Sequence, residues 1–138
     1  MTLPRPLSSS DETTIEHAMV AFRDEWGFVK SFRFEDLLRQ WQRFVDEVET
    51  GYALGLDDFT QELALRDSLE EVVGKLSSPY REAIEGWLKP LDQRYRFATR
   101  EIGRPLLPVD SPRAFWWWRV PTALKGELLA ALVSEELI

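Results

Sequence analysis

The fold class predicted is all-α: a single-domain antiparallel bundle of five to six helices, with a kinked long helix and a Trp-rich C-terminal segment. Three observations predict it. From Phe34 to Tyr52 the apolar residues Phe34, Leu37, Leu38, Trp41, Phe44, Val45, Val48 and Tyr52 fall at helical spacings, one stripe at about 100° per residue. Similar stripes recur between cap and stop signals, joined by connections short enough to make successive helices antiparallel neighbours. With 44% hydrophobic residues, six Trp and eight Phe in 138 residues, the chain can bury a core without metals or crosslinks, and it has no cysteine to make a disulfide.

Residues 1–9, with Pro4, Pro6 and a serine run, read as a flexible tail, leaving 10–138 as the helical domain. Ser9 followed by Glu12 has capping-box spacing and opens a helix with the stripe Ile15, Ala18, Met19, Phe22 and Trp26, stopped by Gly27. Phe28 to Arg33 is short and partly apolar, either extended or a packed loop. The central helix follows, its outer side carrying Glu35, Arg39, Arg43 and Glu47 four apart, and Gly51 ends it.

Asp57 is the next cap candidate. Phe59 and Leu63 share one face, while Leu65, Leu69, Val72, Val73 and Leu76 define another out of phase with it; the simplest cure is a bend near Ala64, with helices over 58–63 and 65–77. Ser78-Pro79 is a cap-and-proline start. Ile84, Trp87, Leu88, Leu91, Tyr95, Ala98 and Ile102 then continue one stripe to Gly103, and Pro90 inside it predicts a kink between Gly86 and Pro90. Residues 103–112 carry three prolines and form an irregular connection packed through Leu106 and Leu107. Ser111-Pro112 opens a segment through Phe115, Trp116, Trp117 and Trp118, Pro121 interrupts it, and a last helix over 122–136 carries Leu124, Leu128, Leu129, Leu132 and Val133.

The net charge of −7 disfavours generic nucleic-acid binding, because phosphate neutralisation needs exposed Lys and Arg. The charge is uneven. Glu35 to Glu71 holds eleven acids against three arginines, and Lys89 to Arg119 holds seven bases against three acids. The acidic half suits a basic protein partner, met through Asp57, Asp58 and Glu62. The start lacks an apolar stretch behind a basic one, and the longest later aliphatic run is Leu128 to Val133, so a cytoplasmic protein without a membrane span is expected.

The catalytic inventory is thin. The single histidine, His17, lies about 160° from the middle of its helix's stripe, a surface position. Without cysteine or a buried histidine the usual nucleophile and base pairs cannot be assembled. No dinucleotide or P-loop glycine spacing occurs. One acidic arrangement has chemistry: Asp46 with Glu49 and Asp67 with Glu70 are two D-x-x-E pairs on successive helices. They are similar to the paired acidic motifs of all-α nucleotide pyrophosphatases of the MazG and dUTPase type. That resemblance implies a Mg²⁺-dependent nucleotide hydrolase, the four carboxylates holding the ion against a triphosphate. The family's pairs are mainly Glu-led, and Asp46 and Asp67 sit about 140° and 160° off their stripes, facing water.

The Trp run cannot lie on one face, since consecutive helical residues diverge by about 100°. It is read as a plug closing the bundle, each ring burying about 150–250 Å². The alternative makes Trp117 an anchor that joins Arg96, Phe97, Arg100 and Arg104 in an aromatic and basic patch for an acidic protein, a phosphate-bearing ligand or single-stranded RNA. Phe97 lies about 140° off its stripe, so burying it needs a second layer, for which the C-terminal segment is the candidate. The leading expectation is a non-enzymatic acidic binding module that neutralises or recruits a basic protein and needs no cofactor. The alternatives are the Mg²⁺ hydrolase and a binder of a small apolar ligand between helices near Trp41, Trp87 and the Trp run.

Overall fold

The computed structural model describes residues 8–26, 33–106 and 114–138, without the side chains of residues 22–26. Its helices are α1 (Ser9–Trp26), α2 (Phe34–Thr50), α3 (Leu56–Gly74), α4 (Tyr80–Phe97) and α5 (Gly126–Ser134). Between α4 and α5 run strand β1 (Thr99–Glu101), a 3-10 turn (Phe115–Trp118) and strand β2 (Arg119–Pro121). The architecture is an all-α bundle of five helices among the described residues, with one small antiparallel ribbon. Of the expected tail over 1–9, residues 1–7 lie outside the described residues, as do the Gly27 stop, the Phe28 stretch up to residue 32, Leu107 and the Ser111-Pro112 start, whereas Ser9 is the first residue of α1.

The predicted stripe of α2 is its core face: Phe34, Leu37, Leu38, Trp41, Phe44, Val45 and Val48 are buried, and Tyr52 beyond the helix end is too. At its start the Asp36 carboxylate accepts the Arg33 N–H at 3.0 Å, and two acids in the first turn suit the helix dipole. Gly51 closes it at φ +116°, where a side chain would be strained, with its N–H on the Glu47 carbonyl.

The expected break near Ala64 is absent, and α3 is one helix. Its two out-of-phase faces are both used, because α3 packs against α1, α2, α4, α5 and the 3-10 turn. Phe59 meets Phe44 and Tyr52 at ring separations of 5.2 and 5.3 Å, while Leu65, Leu69, Val72 and Val73 supply the other side. A helix with neighbours on several sides needs no single stripe. Its cap is Gly55 rather than Asp57, with the Asp58 carboxylate accepting the Gly55 N–H at 3.2 Å.

Helix α4 includes Pro90 and stops at Phe97, short of the predicted Gly103. The chain then turns into β1, which pairs with β2 in the register Thr99↔Pro121, Arg100↔Val120 and Glu101↔Arg119. Thr99 makes the corner: its hydroxyl donates to the Tyr95 carbonyl at 2.7 Å and accepts from Arg119 Nε at 2.8 Å. A strand of three residues is too short to show a period of two, so the sequence pattern passes over it.

At the other end Ser8 Oγ accepts the Asp11 N–H, and the buried Asp11 carboxylate accepts both the N–H and the O–H of Ser77, at 3.0 and 2.7 Å. Those Ser77 hydrogen bonds hold the Asp11 carboxyl below its ordinary pKa and tie α1 to the turn before α4. The last helix begins at Gly126, later than predicted, because 122–125 are held as chain: Thr122 N–H bonds the Ala98 carbonyl, and Leu124 bridges Tyr52. Gly126 has φ +60°, and a Cβ there would lie 2.8 Å from the Ala53 carbonyl oxygen, so only glycine fits this close approach.

Candidate functional site

Beyond Glu35 and Asp36 in the first turn of α2, the acids of α2 and α3 divide into two groups. In the first, each carboxylate already has a partner. Arg94 of α4 bridges Asp46 and Glu49, with Nε 3.1 Å from Glu49 Oε2. Glu70 accepts from Arg66 Nη1 at 2.7 Å, and Glu71 pairs with Lys75. Asp67 accepts the indole N–H groups of Trp116 and Trp117 at 2.8 and 2.7 Å.

The second group sits where α2 ends and α3 begins: Glu47, Asp57, Asp58 and Glu62. None of the four has an ion-pair partner among the described residues. Glu47, Asp57 and Asp58 are exposed, whereas Glu62 is half-buried and accepts a 2.7 Å hydrogen bond from Gln40 Nε2. Gln40 is oriented in turn by Arg43, whose Nη2 donates to its Oε1 at 2.8 Å. Burial, then the charges of Glu47 and Asp58, push the Glu62 carboxyl up to about 7, against the Gln40 hydrogen bond and the Arg43 charge. The same cause acts on the neighbouring Tyr52, whose hydroxyl is raised by burial and by the charges of Glu62, Asp58 and Glu47.

A raised folded-state pKa on a carboxyl means that the unfolded chain ionises first. Stability from this group is therefore full below about pH 4, declines as pH rises and is gone above about pH 7. Glu62→Gln keeps the acceptor for Gln40 and removes the charge. It is expected to raise stability by about 1–2 kcal/mol at pH 8 and by nothing at pH 4, read from urea midpoints at the two pH values. An equal effect at both would show that Glu62 titrates normally.

The four carboxylates of the D-x-x-E pairs are committed to different partners: Asp46 and Glu49 to Arg94, Asp67 to two indoles, Glu70 to Arg66. Among the described residues no group of three or more His, Asp or Glu is placed to hold a metal ion. Asp46 is exposed as predicted. Asp67 is not, because the 3-10 turn packs on the side of α3 where the stripe argument put water.

Trp116 and Trp117 are 5% and 1% exposed, and the run is a plug. Trp117 therefore lies beyond the reach of a partner, which corrects its place in the aromatic and basic patch. Phe97, by contrast, is 88% exposed at the last position of α4. The expected second layer stops short of it: Arg96 stacks on Phe115 at 4.0 Å, Arg119 donates to the Arg96 and Thr99 carbonyls, and Arg104 donates to the Glu136 carbonyl. Arg100 is exposed on β1. His17 is exposed on α1 as predicted. The gap lined by Leu37, Trp41, Leu65 and Leu69 measures about 10 Å³, room for one water and not for an apolar ligand.

One constellation escapes sequence reasoning. Arg66 is 3% exposed, with its guanidinium 4.6 Å from the Trp116 ring and 5.7 Å from that of Trp41. Its Nε and Nη2 grip the two oxygens of Asp92 at 3.2 and 2.8 Å, and Trp41 Nε1 donates to Asp92 as well, at 3.0 Å. Burial works against the Arg66 charge, but Asp92 and Glu70 outweigh it and raise its pKa. The Arg66–Glu70 spacing hints at half of this, but nothing local points to Asp92.

Among the described residues no helix is long and apolar enough to cross a membrane. Comparison of the chain with protein-family models, with curated proteins and with solved structures finds no match.

Proposed function

We propose that this chain is a non-enzymatic binding module that offers the corner formed by Glu47, Asp57, Asp58 and Glu62 to a basic protein, masking or recruiting it. The reading rests on one observation. Where Arg94, Arg66 and Lys75 pair with Asp46, Glu49, Glu70 and Glu71, this corner keeps four carboxylates without an ion pair among the described residues, and burial with the charges of Glu47 and Asp58 holds Glu62 near neutral pKa against the Arg43 charge. A lysine or arginine docked there supplies the missing cation. Leu54, 54% exposed in the connection beside Asp57, adds an apolar contact that slows departure once charge has steered arrival.

A docked cation favours ionised Glu62, so binding releases a proton and tightens as pH rises from about 6 to 8. Calorimetry with a Lys- and Arg-rich peptide at low salt is expected to show binding that the triple change Asp57→Lys, Asp58→Lys and Glu62→Lys weakens by at least about tenfold. Affinity indifferent to that reversal removes this corner as the recognition face.

A further inference from the structure

A cavity of about 400 Å³ opens between α3, α4 and the 3-10 turn, and it lies within the size range of small-molecule sites. Arg66 lines it, although the residue is almost wholly buried. A guanidinium has five N–H donors. Three are spent on Asp92 and Glu70, and among the described residues no acceptor engages the other two, one on Nη1 and one on Nη2. The Trp116 and Trp41 rings lie 4.6 and 5.7 Å from the guanidinium carbon, and its N–H bonds radiate in the plane of the group, so a partner for the open donors comes in that plane.

The charges around the cavity say what that partner is. Its three acids are already matched: Glu70 and Asp92 by Arg66, and Glu85 by Arg81 at 2.7 Å. Its other cations are not. Lys89 and Arg96, exposed two turns apart on α4, have no ion pair among the described residues, and Arg96 is held in place by the Phe115 ring. The lining holds three cations, Arg66, Lys89 and Arg96, against three acids, Glu70, Glu85 and Asp92, and Arg81, which pairs with Glu85 from outside the lining, leaves the neighbourhood one cation in excess. Gln93 adds a neutral donor, and Leu88 with Phe115 adds an apolar side.

We propose that this cavity binds a small organic anion. Its carboxylate or phosphoryl oxygens accept the two open N–H groups of Arg66 and face Lys89 and Arg96, and its apolar part rests on Phe115 and Leu88. The open Nη donors of Arg66 suit anionic oxygen acceptors, which carboxylate and phosphoryl groups share.

The test is calorimetric titration of the full chain with benzoate and with phenyl phosphate, and with acetate and inorganic phosphate as probes lacking the ring. The expected result is saturable one-to-one binding of at least one aromatic probe, weakened by about tenfold or more in Lys89→Ala/Arg96→Ala, a double variant at exposed positions whose thermal melt stays at that of the wild type. Tighter binding of phenyl phosphate identifies a phosphoryl ligand, and tighter binding of benzoate a carboxylate. The proposal is overturned if neither aromatic probe binds up to about 10 mM, if the double variant binds as well as the wild type, or if acetate and phosphate bind as tightly as their aromatic counterparts.

Discussion

Replacing Arg66 by alanine is expected to cost about 3–5 kcal/mol, a large share of the stability of a domain this size. The loss comes less from the attraction removed than from what stays behind. Asp92 keeps one hydrogen bond from Trp41 but loses two from Arg66, and its charge, on a side chain only 19% exposed, is left without a cation. Trp41 and Trp116 lose their contact with the guanidinium as well, and a cavity replaces it. The measurement is the denaturant midpoint at unchanged slope. Changing both members, Arg66→Met with Asp92→Leu, separates the causes: it removes the stranded charge and is expected to recover part of the loss, leaving Trp41 Nε1 as the main unsatisfied group. A double variant less stable than Arg66→Ala would show that the ion pair itself, not the orphaned carboxylate, carries the energy.

Asp67→Ala is expected to be the next most damaging single change, at about 2–5 kcal/mol, since two buried indole N–H groups lose their acceptor at about 1–3 kcal/mol each. Asp67→Asn discriminates further. Its amide oxygen can serve one indole, but its NH₂ meets the other donor to donor, so an intermediate loss of about half is expected. Tryptophan emission should shift to the red in both variants as water reaches Trp116 and Trp117, which are otherwise covered. Asp67→Asn with wild-type stability and emission would mean that the two indole bonds contribute nothing net.

Asp67 also marks where reading the sequence stops working. Phase arguments located the core face of α2 residue by residue, because α2 shows one side to the core and one to water. They misplaced Asp67, and split α3 in two, because the angle between a residue and its stripe predicts exposure only when a single side is covered; α3 is covered on several sides. The end of α4 was set by tertiary pairing of Thr99 to Glu101 with a partner about twenty residues away, which no local window contains. Exposure followed the same divide. The Trp run was legible as a plug since three adjacent rings cannot share a face, but the exposure of Phe97 depends on where α4 stops. In the candidate site, Asp57, Asp58 and Glu62 were legible as acids, whereas their lack of counter-charge depended on which arginine reaches which carboxylate, a matter of helix packing alone.

Helix α5 is also the piece translated after everything it covers. Leu128 and Leu132, both fully enclosed, lie on a helix that packs against α3, and the helix begins at a glycine pressed against the connection between α2 and α3. During synthesis the earlier helices must wait with that side of α3 bare until α5 emerges, an interval in which the nascent chain offers a greasy flank to chaperones or to other unfinished chains.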